Sequence, residues 1–248
     1  LLPDGTEIPG TNFDYNYLQH RKVDVVSSAL DFILPFEKYK ITAGAKVSFT
    51  NTRNGINYDT SDPTLVQDDY FRYKEQIYAL YADYSREFSE RFSMQLGLRM
   101  EHTRTTGISE AKDTEDKHDY TRLFPTVYLL YSPTDGHALN FSFSNRISRP
   151  SQNMVNPFPF YQNKYTYACG REDLNPSYTY NAELGYTLKN NFNVSAYYSY
   201  SDDVFFQVVD LDAETNVTSF LWENFMQTHA FGLNNSYTFR TKWLQIYA

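Results

Sequence analysis

The sequence has little of what stabilises or anchors many other kinds of protein. Its 248 residues include a single cysteine, Cys169, so no disulfide can form within the chain. No stretch approaches the run of about 18 apolar residues that a membrane-spanning helix needs. The formal net charge is −8, which disfavours a nucleic-acid partner because such a partner requires a basic surface. These absences argue against a disulfide scaffold, a helical membrane protein and a nucleic-acid-binding protein.

Residues that carry chemistry are present, but they form no recognisable catalytic or metal site. The histidines are scattered along the chain, at His20, His102, His118, His137 and His229. None has a nucleophile or a second ligand at an informative spacing. Acidic and amide residues at positions 210, 212, 214 and 216 alternate like the start of a calcium loop, but Thr215 and Leu221 stand where an EF-hand needs Gly and Glu. We therefore predict no enzymatic activity, no metal and no cofactor.

Alternation of apolar and polar residues with period two is the dominant pattern of the chain. It is clearest at residues 92–101 and recurs at 41–49, 139–146, 178–188 and 192–200. Such alternation gives a strand one apolar face and one hydrated face. For residues 92–101, the predicted lipid-facing set is Phe92, Met94, Leu96, Leu98 and Met100, and the predicted interior set includes Arg99 and Glu101.

The aromatic content favours a membrane β-barrel over a soluble β-sandwich. The chain has 23 Tyr and 19 Phe, yet its mean hydropathy is −0.59, because apolar and polar residues are interleaved. Strands of about 9 to 11 residues cross a bilayer when they close into a barrel, and aromatic residues suit its two interfaces. Sandwich strands also alternate, but they rarely run as long as residues 70–87 or 192–208. We predict an all-β fold, an antiparallel up-and-down transmembrane β-barrel with about ten strands in this chain.

Short and long connections alternate between the predicted strands. Short turns are expected near residues 37, 89, 134, 190 and 241, and long polar loops at residues 54–69, 107–119, 148–176 and 210–216. In bacterial barrels the short turns face the periplasm and the long loops face the exterior. The first strand, at residues 20–34, has poor alternation. At residues 70–86 both sets of alternate residues contain large apolar side chains, so either set could face lipid.

The chain begins at Leu1 without an initiator methionine or a signal peptide. An outer-membrane protein needs an export signal, so we expect the gene product to be longer. Residues 1–248 are accordingly expected to be part of one outer-membrane barrel domain, with the signal peptide absent from this chain.

Nearly the whole chain resembles a known family, most clearly in its central part. The segments FPTVYLLYSPTDGHALNFSFSNRISRPSQNMVNPF and YACGREDLNPSYTYNAELGY are similar to the barrel of TonB-dependent outer-membrane receptors, in the branch called the outer membrane protein β-barrel family. The most specific parts are Arg149-Pro150, Asn156-Pro157-Phe158, residues 170–176 and residues 183–186. Relative to the family pattern, Arg171-Glu172 replaces Asn-Pro and Ser177 replaces Glu.

The resemblance implies a bacterial outer-membrane receptor that binds a nutrient at the cell surface and imports it to the periplasm. Such receptors have a plug domain inside a barrel of roughly 22 strands and contact the TonB complex through an N-terminal segment; we expect plug and segment to lie outside this chain. The expected partners are outer-membrane lipid, TonB, an unknown nutrient ligand, and a surface lipoprotein or other envelope protein. Two other functions stay open: a structural or assembly partner in an envelope complex, and a passive porin-like channel.

The candidate ligand-binding residues are the aromatic side chains of one predicted loop: Phe158, Phe160, Tyr161, Tyr165 and Tyr167. Aromatic rings with neighbouring amides can stack on and hydrogen-bond a sugar, a peptide or a chelate. The alternative is that these rings pack the loop on itself or anchor it at the lipid headgroups.

Overall fold

The computed structural model of the chain describes residues 15–60, 68–189, 191–240 and 242–247. The described residues contain nine long strands: β1 (Tyr15–Pro35), β2 (Tyr39–Thr60), β3 (Asp69–Ser89), β4 (Phe92–Ser109), β5 (Thr114–Tyr131), β6 (His137–Ser148), β9 (Ser177–Leu188), β10 (Phe192–Asp212) and β11 (Val217–Arg240). Three short strands and one helical turn complete them: α1 (Gln152–Val155), β7 (Phe160–Asn163), β8 (Thr166–Cys169) and β12 (Gln245–Tyr247). The prediction of about ten strands compares with nine long and three short strands in the described residues.

The long strands form one up-and-down antiparallel sheet. They follow chain order from β1 to β6 and then continue with β9, β10 and β11, since β6 pairs directly with β9. Strand β8 pairs in parallel with one end of the free edge of β11, and β12 pairs with the other end. Among the described residues, no helix is long and apolar enough to cross a membrane. The predicted all-β antiparallel fold is confirmed.

Large apolar side chains lie on the outside of this sheet. The strand register aligns Leu30, Ala45, Leu80, Met100 and Leu123 in one row across β1 to β5. The three leucines of this row are all more than half exposed, and Met100 is exposed as well. A soluble sandwich would bury such a row, whereas a barrel presents it to lipid.

The two faces of β4 agree with the sequence pattern. Leu96, Leu98 and Met100 are exposed, whereas Glu101 and Thr103 on the opposite parity are buried. These polar side chains are buried because residues 149–176 cover this part of the inner face of the sheet, where Arg149 contacts both of them. The outer face is therefore apolar and the inner face polar.

In β3, both sets of alternate residues contain apolar side chains, so the sequence does not decide which set faces lipid. The structure does. Tyr78 and Leu80 are exposed on the outer face. Tyr81 lies on the inner face, where its hydroxyl donates a hydrogen bond to Asp31 across Gly44. A Cβ atom at Gly44 would lie 2.6 Å from the Tyr81 ring, so glycine is needed for this close approach.

The part of the sheet whose outer face is apolar is here called the apolar band. The predicted long loops are shorter than expected because the strands continue beyond this band. Residues 107–119 were predicted to be a loop, but β4 reaches Ser109 and β5 begins at Thr114. Likewise, residues 54–60 belong to β2, and only residues 213–216 separate β10 from β11. Ion pairs mark this region on the outer face, with Arg53 Nη2 2.5 Å from Asp24 Oδ2 and Arg104 Nε 2.8 Å from Asp119 Oδ2. Both faces of the sheet meet water there. The alternation of apolar and polar residues therefore disappears, although the strand pairing continues.

The opposite end of the sheet carries short turns and aromatic side chains. Turns occur between β1 and β2, β3 and β4, and β5 and β6, as predicted near residues 37, 89 and 134; residues 190 and 241 lie outside the described residues. Phe36 stacks on Tyr39 with ring centroids 4.5 Å apart, and the Phe88 and Phe92 rings are 5.3 Å apart. Aromatic residues beside short turns are typical of the periplasmic interface of a barrel.

A charge introduced on the outer face of β4 will destabilise the barrel more than one on the inner face. We expect Leu96→Arg to cost about 2–4 kcal/mol because it places a guanidinium in lipid. Gln95→Arg is the matched control, since the adjacent side chain points to the hydrated interior. Folding into lipid vesicles, followed through a urea titration, measures both free energies. Equal destabilisation by the two variants would contradict the assigned faces.

Cysteine labelling will show which end of the sheet faces the exterior. Ser109, which the sequence suggests as a loop position, is buried and bonded to Asp69, so it is unsuitable. Glu214→Cys replaces an exposed residue in the β10–β11 turn at the predicted outer end, and Glu90→Cys replaces an exposed residue in the β3–β4 turn. On intact cells a membrane-impermeant maleimide should label Glu214→Cys but not Glu90→Cys. Labelling of Glu90→Cys alone would invert the topology.

Candidate functional site

Residues 149–176, here called the luminal segment, connect β6 to β9 and fold against the inner face of the sheet. The Tyr58 hydroxyl donates to the Pro159 carbonyl at 3.0 Å, and Lys112 Nζ donates to the Pro157 carbonyl at 2.6 Å. Thr114 Oγ1 donates to Glu172 Oε1 at 2.8 Å. The prediction of an irregular surface loop at residues 148–176 is therefore wrong, because this stretch contains α1, β7 and β8 and packs inside the sheet.

Apolar side chains explain why the luminal segment folds inward. Val155 and Leu174 of the segment are buried with Phe71 of β3, and Phe205 and Trp222 pack against this cluster. Burying such side chains stabilises the folded segment by about 1.5–3 kcal/mol each. The outer face offers no equivalent site, since in lipid the same side chains would carry polar loop backbone with them.

The two halves of the luminal segment are joined by their backbones. The Gly170 N–H donates to the Asn156 carbonyl at 2.8 Å, and the Arg171 N–H donates to the Met154 carbonyl at 2.7 Å. A Cβ atom at Gly170 would lie 2.3 Å from the Asn156 carbonyl oxygen. Glycine at this position thus permits the close approach that folds the segment into one unit.

An ion-pair network, here called the Arg149 anchor, fastens the start of the luminal segment to the sheet. Arg149 Nη2 donates to Glu101 Oε2 at 2.5 Å and to Thr103 Oγ1 at 3.1 Å. Its Nε lies 3.8 Å from Glu75 Oε1, and Arg99 Nε donates to the other Glu101 oxygen at 2.5 Å. Burial lowers the pKa of Arg149, but the hydrogen bond and charge of Glu101, with the charges of Tyr120 and Glu75, raise it by more, so the net shift is upward. The guanidinium is therefore charged.

The other end of the luminal segment is held at β8 and Cys169. Strand β8 pairs with residues 218–221 of β11, and the Cys169 thiol donates to the Pro157 carbonyl with an Sγ–O distance of 2.9 Å. Burial raises the pKa of this thiol, so little reactive thiolate forms at neutral pH. Cys169 is a structural residue of the segment.

Two of the five predicted ligand-binding residues lie where the luminal segment meets β1 and β2. The Phe158 ring is buried and lies 5.7 Å from the Tyr58 ring. The Phe160 ring meets Tyr17 edge to face at 4.9 Å. Both phenylalanines also line a cavity inside the sheet.

The other three predicted residues lie apart from this pair. Tyr161 and Tyr167 face each other across β7 and β8 with ring centroids 5.6 Å apart. Tyr165, in the turn between these strands, is 56% exposed. The five rings therefore do not form one cluster, and ligand contact by any of them remains a prediction.

The cavity beside Phe158 and Phe160 has a volume of about 310 Å³, at the lower end of ordinary small-molecule sites. Its polar lining consists of carboxamides: Gln19, Asn54, Asn153 and Asn156. Trp222 adds a third aromatic side chain. The sequence pattern did not indicate Gln19, Asn54 or Trp222, because they lie on strands far from the luminal segment in sequence.

The acidic stretch that resembles a calcium loop serves as a turn between β10 and β11. Asp212 Oδ1 accepts a hydrogen bond from the Glu214 N–H at 2.9 Å, and Asp212 Oδ2 accepts one from Thr215 Oγ1 at 2.7 Å. Across the ranges that the structure describes, no cluster of three or more His, Cys, Asp or Glu side chains is arranged to hold a metal ion.

The fold and its polar, partly filled interior define a segment of an outer-membrane β-barrel. Residues 2–248 match the model of the outer membrane protein beta-barrel family, and the chain belongs to that family. This confirms the resemblance found in the sequence and places the chain in the bacterial outer membrane. A search of curated protein sequences finds no match.

Solved structures share the fold at low sequence identity. The chain is similar to the copper transporter OprC, with TM-score 0.67, 12% identity and coverage of 89% of this chain and 36% of that chain. It is also similar to a double mutant of the Serratia marcescens hemophore receptor HasR in complex with its hemophore HasA and heme, with TM-score 0.62, 11% identity and coverage of 92% and 41%. A third is the ferric yersiniabactin uptake receptor FyuA from Yersinia pestis, with TM-score 0.57, 17% identity and coverage of 91% and 34%.

This chain therefore spans between about a third and two-fifths of the length of these structures. At such identities the likeness concerns the fold alone. Membership of the outer membrane protein beta-barrel family agrees with the prediction that the chain is not an enzyme.

Loss of the Arg149 anchor will loosen the luminal segment, and Cys169 will report the change. Breaking a buried ion pair costs about 3–5 kcal/mol. Here the cost is smaller, because Arg99 still pairs with Glu101. In Arg149→Ala we expect Cys169 to react several-fold faster with a small maleimide, because the thiol leaves its partly buried site more often. Arg104→Ala removes an exposed ion pair from the outer face and is the matched control. An unchanged Cys169 rate in Arg149→Ala would show that the anchor does not hold the segment.

Proposed function

We propose that the complete protein is an outer-membrane receptor that binds a nutrient at the cell surface and imports it to the periplasm with energy from the TonB complex. The observation that carries this proposal is the luminal segment, which is fastened inside the sheet by the Arg149 anchor. A segment fastened to the inner face holds its side chains in place beside a cavity of about 310 Å³, which suits selective binding followed by release.

The family match and the receptor-like fold support the same proposal. We assign residues 1–248 to one barrel domain, and we assign the plug and the TonB-contacting segment to parts of the protein outside this sequence. The nutrient is recognised by the luminal segment and the neighbouring sheet. Work transmitted by TonB then releases it.

Uptake by cells that carry the complete gene tests the proposal. Without TonB, we expect accumulation of the nutrient to fall to background while surface binding persists, because binding needs only the barrel whereas release needs energy. Radiolabelled nutrients measured with and without TonB separate the two steps. Uptake that is unchanged without TonB would indicate a passive channel. Neither binding nor uptake across a broad nutrient panel would favour a structural role in an envelope complex.

A further inference from the structure

We propose that the cavity between the luminal segment, β1, β2 and β11 binds a neutral, polyhydroxylated ligand, namely a disaccharide. This inference rests on the proposed receptor function and names the chemical class of its ligand. The cavity is here called the amide cavity, because Gln19, Asn54, Asn153 and Asn156 supply its polar lining.

The polar lining matches hydroxyl groups. A carboxamide offers both a donor and an acceptor, as a sugar hydroxyl does. Gln19 Nε2 donates to Asn54 Oδ1 at 3.0 Å, which orients both side chains beside the cavity. Asn156 Oδ1 accepts from the Phe158 N–H at 3.1 Å, so this side chain is also held in a fixed orientation.

The apolar lining matches the C–H faces of a sugar ring. Phe158, Phe160 and Trp222 line the same cavity as the amides. Their orientation is fixed by packing, since Phe160 lies edge to face with Tyr17 and Trp222 meets Phe205 edge to face at 6.5 Å. Rigid aromatic surfaces beside oriented amides bind with little entropy loss.

Charged ligands fit this lining poorly. Among the described residues that line the amide cavity, none is an Asp, Glu, Lys, Arg or His. Lys112 and Glu172 carry opposite charges that both act on Cys169 of the lining, and their side chains are held by hydrogen bonds to the Pro157 carbonyl and from Thr114. An anionic ferric chelate or a zwitterionic peptide would leave its charges desolvated and unpaired, which is costly. A sugar brings no charge.

The test is binding by the full-length protein, purified in detergent and checked for folding by its heat-modifiable migration. Maltose, cellobiose and lactose are the neutral probes, and ferric citrate and glycylglycine are the charged probes. Isothermal titration calorimetry measures each affinity. We expect at least one disaccharide to bind and both charged probes to fail.

Variants connect this binding to the amide cavity. Asn153→Ala and Phe160→Ala should each weaken disaccharide binding about tenfold, equivalent to about 1.4 kcal/mol. Asn163→Ala is the matched control for both, since Asn163 lies exposed on β7 and does not line the cavity; it should leave the affinity unchanged. The inference is overturned if no disaccharide binds, if both lining variants bind like wild type, or if ferric citrate binds and loses affinity in those variants.

The same preparation separates failure of this inference from failure of the proposed function. TonB-dependent uptake of a charged nutrient without disaccharide binding would keep the receptor function and overturn the sugar assignment. Disaccharide binding that depends on Asn153 and Phe160, together with uptake that ignores TonB, would keep the sugar assignment and overturn energised transport.

Discussion

Backbone hydrogen bonding between neighbouring strands is the constraint from which the rest of the structure follows. Lipid supplies no hydrogen bonds, so an unpaired N–H or C=O in the apolar band costs several kcal/mol. Each strand from β2 to β6, and also β9 and β10, is paired on both sides. The outer edge of β11 is covered at its two ends, by β8 and by β12.

The same constraint explains which features the sequence revealed. In the apolar band the two faces meet different solvents, so residues such as Leu96 and Gln95 must alternate and the strands can be predicted. Beyond the apolar band, both faces of the sheet meet water. There Ser109 and Asp69 face inward and Arg104 faces outward, so polar residues occupy both parities and the strands resemble loops in sequence. The pairing continues regardless, because it depends on the backbone and not on side-chain pattern.

The interior could be predicted only in part. Alternation placed Arg99 and Glu101 inside, but it could not identify the partner of Glu101, since Arg149 is 48 residues away in sequence. The sequence shows that the luminal segment is rich in aromatic residues. It does not show that these residues lie in separate places, because each position depends on which strand the side chain contacts. Phe160 contacts Tyr17 of β1, whereas Tyr161 pairs with Tyr167 within the segment itself. Such contacts arise from tertiary packing, which one sequence does not encode in any local pattern.

The positions of the anchor and the cavity connect binding to the state of the luminal segment. The segment is held at Arg149 and again at β8, and the residues between these points include Asn153 and Phe160, which form one wall of the amide cavity. Gln19 and Asn54 of the sheet form the opposite wall. A ligand that touches both walls binds the folded-in segment more tightly than a detached one, and it stabilises that state by the difference in affinity. By the same linkage, a force that detaches the segment from the sheet would weaken the proposed binding, so release of the ligand and movement of the segment would be coupled.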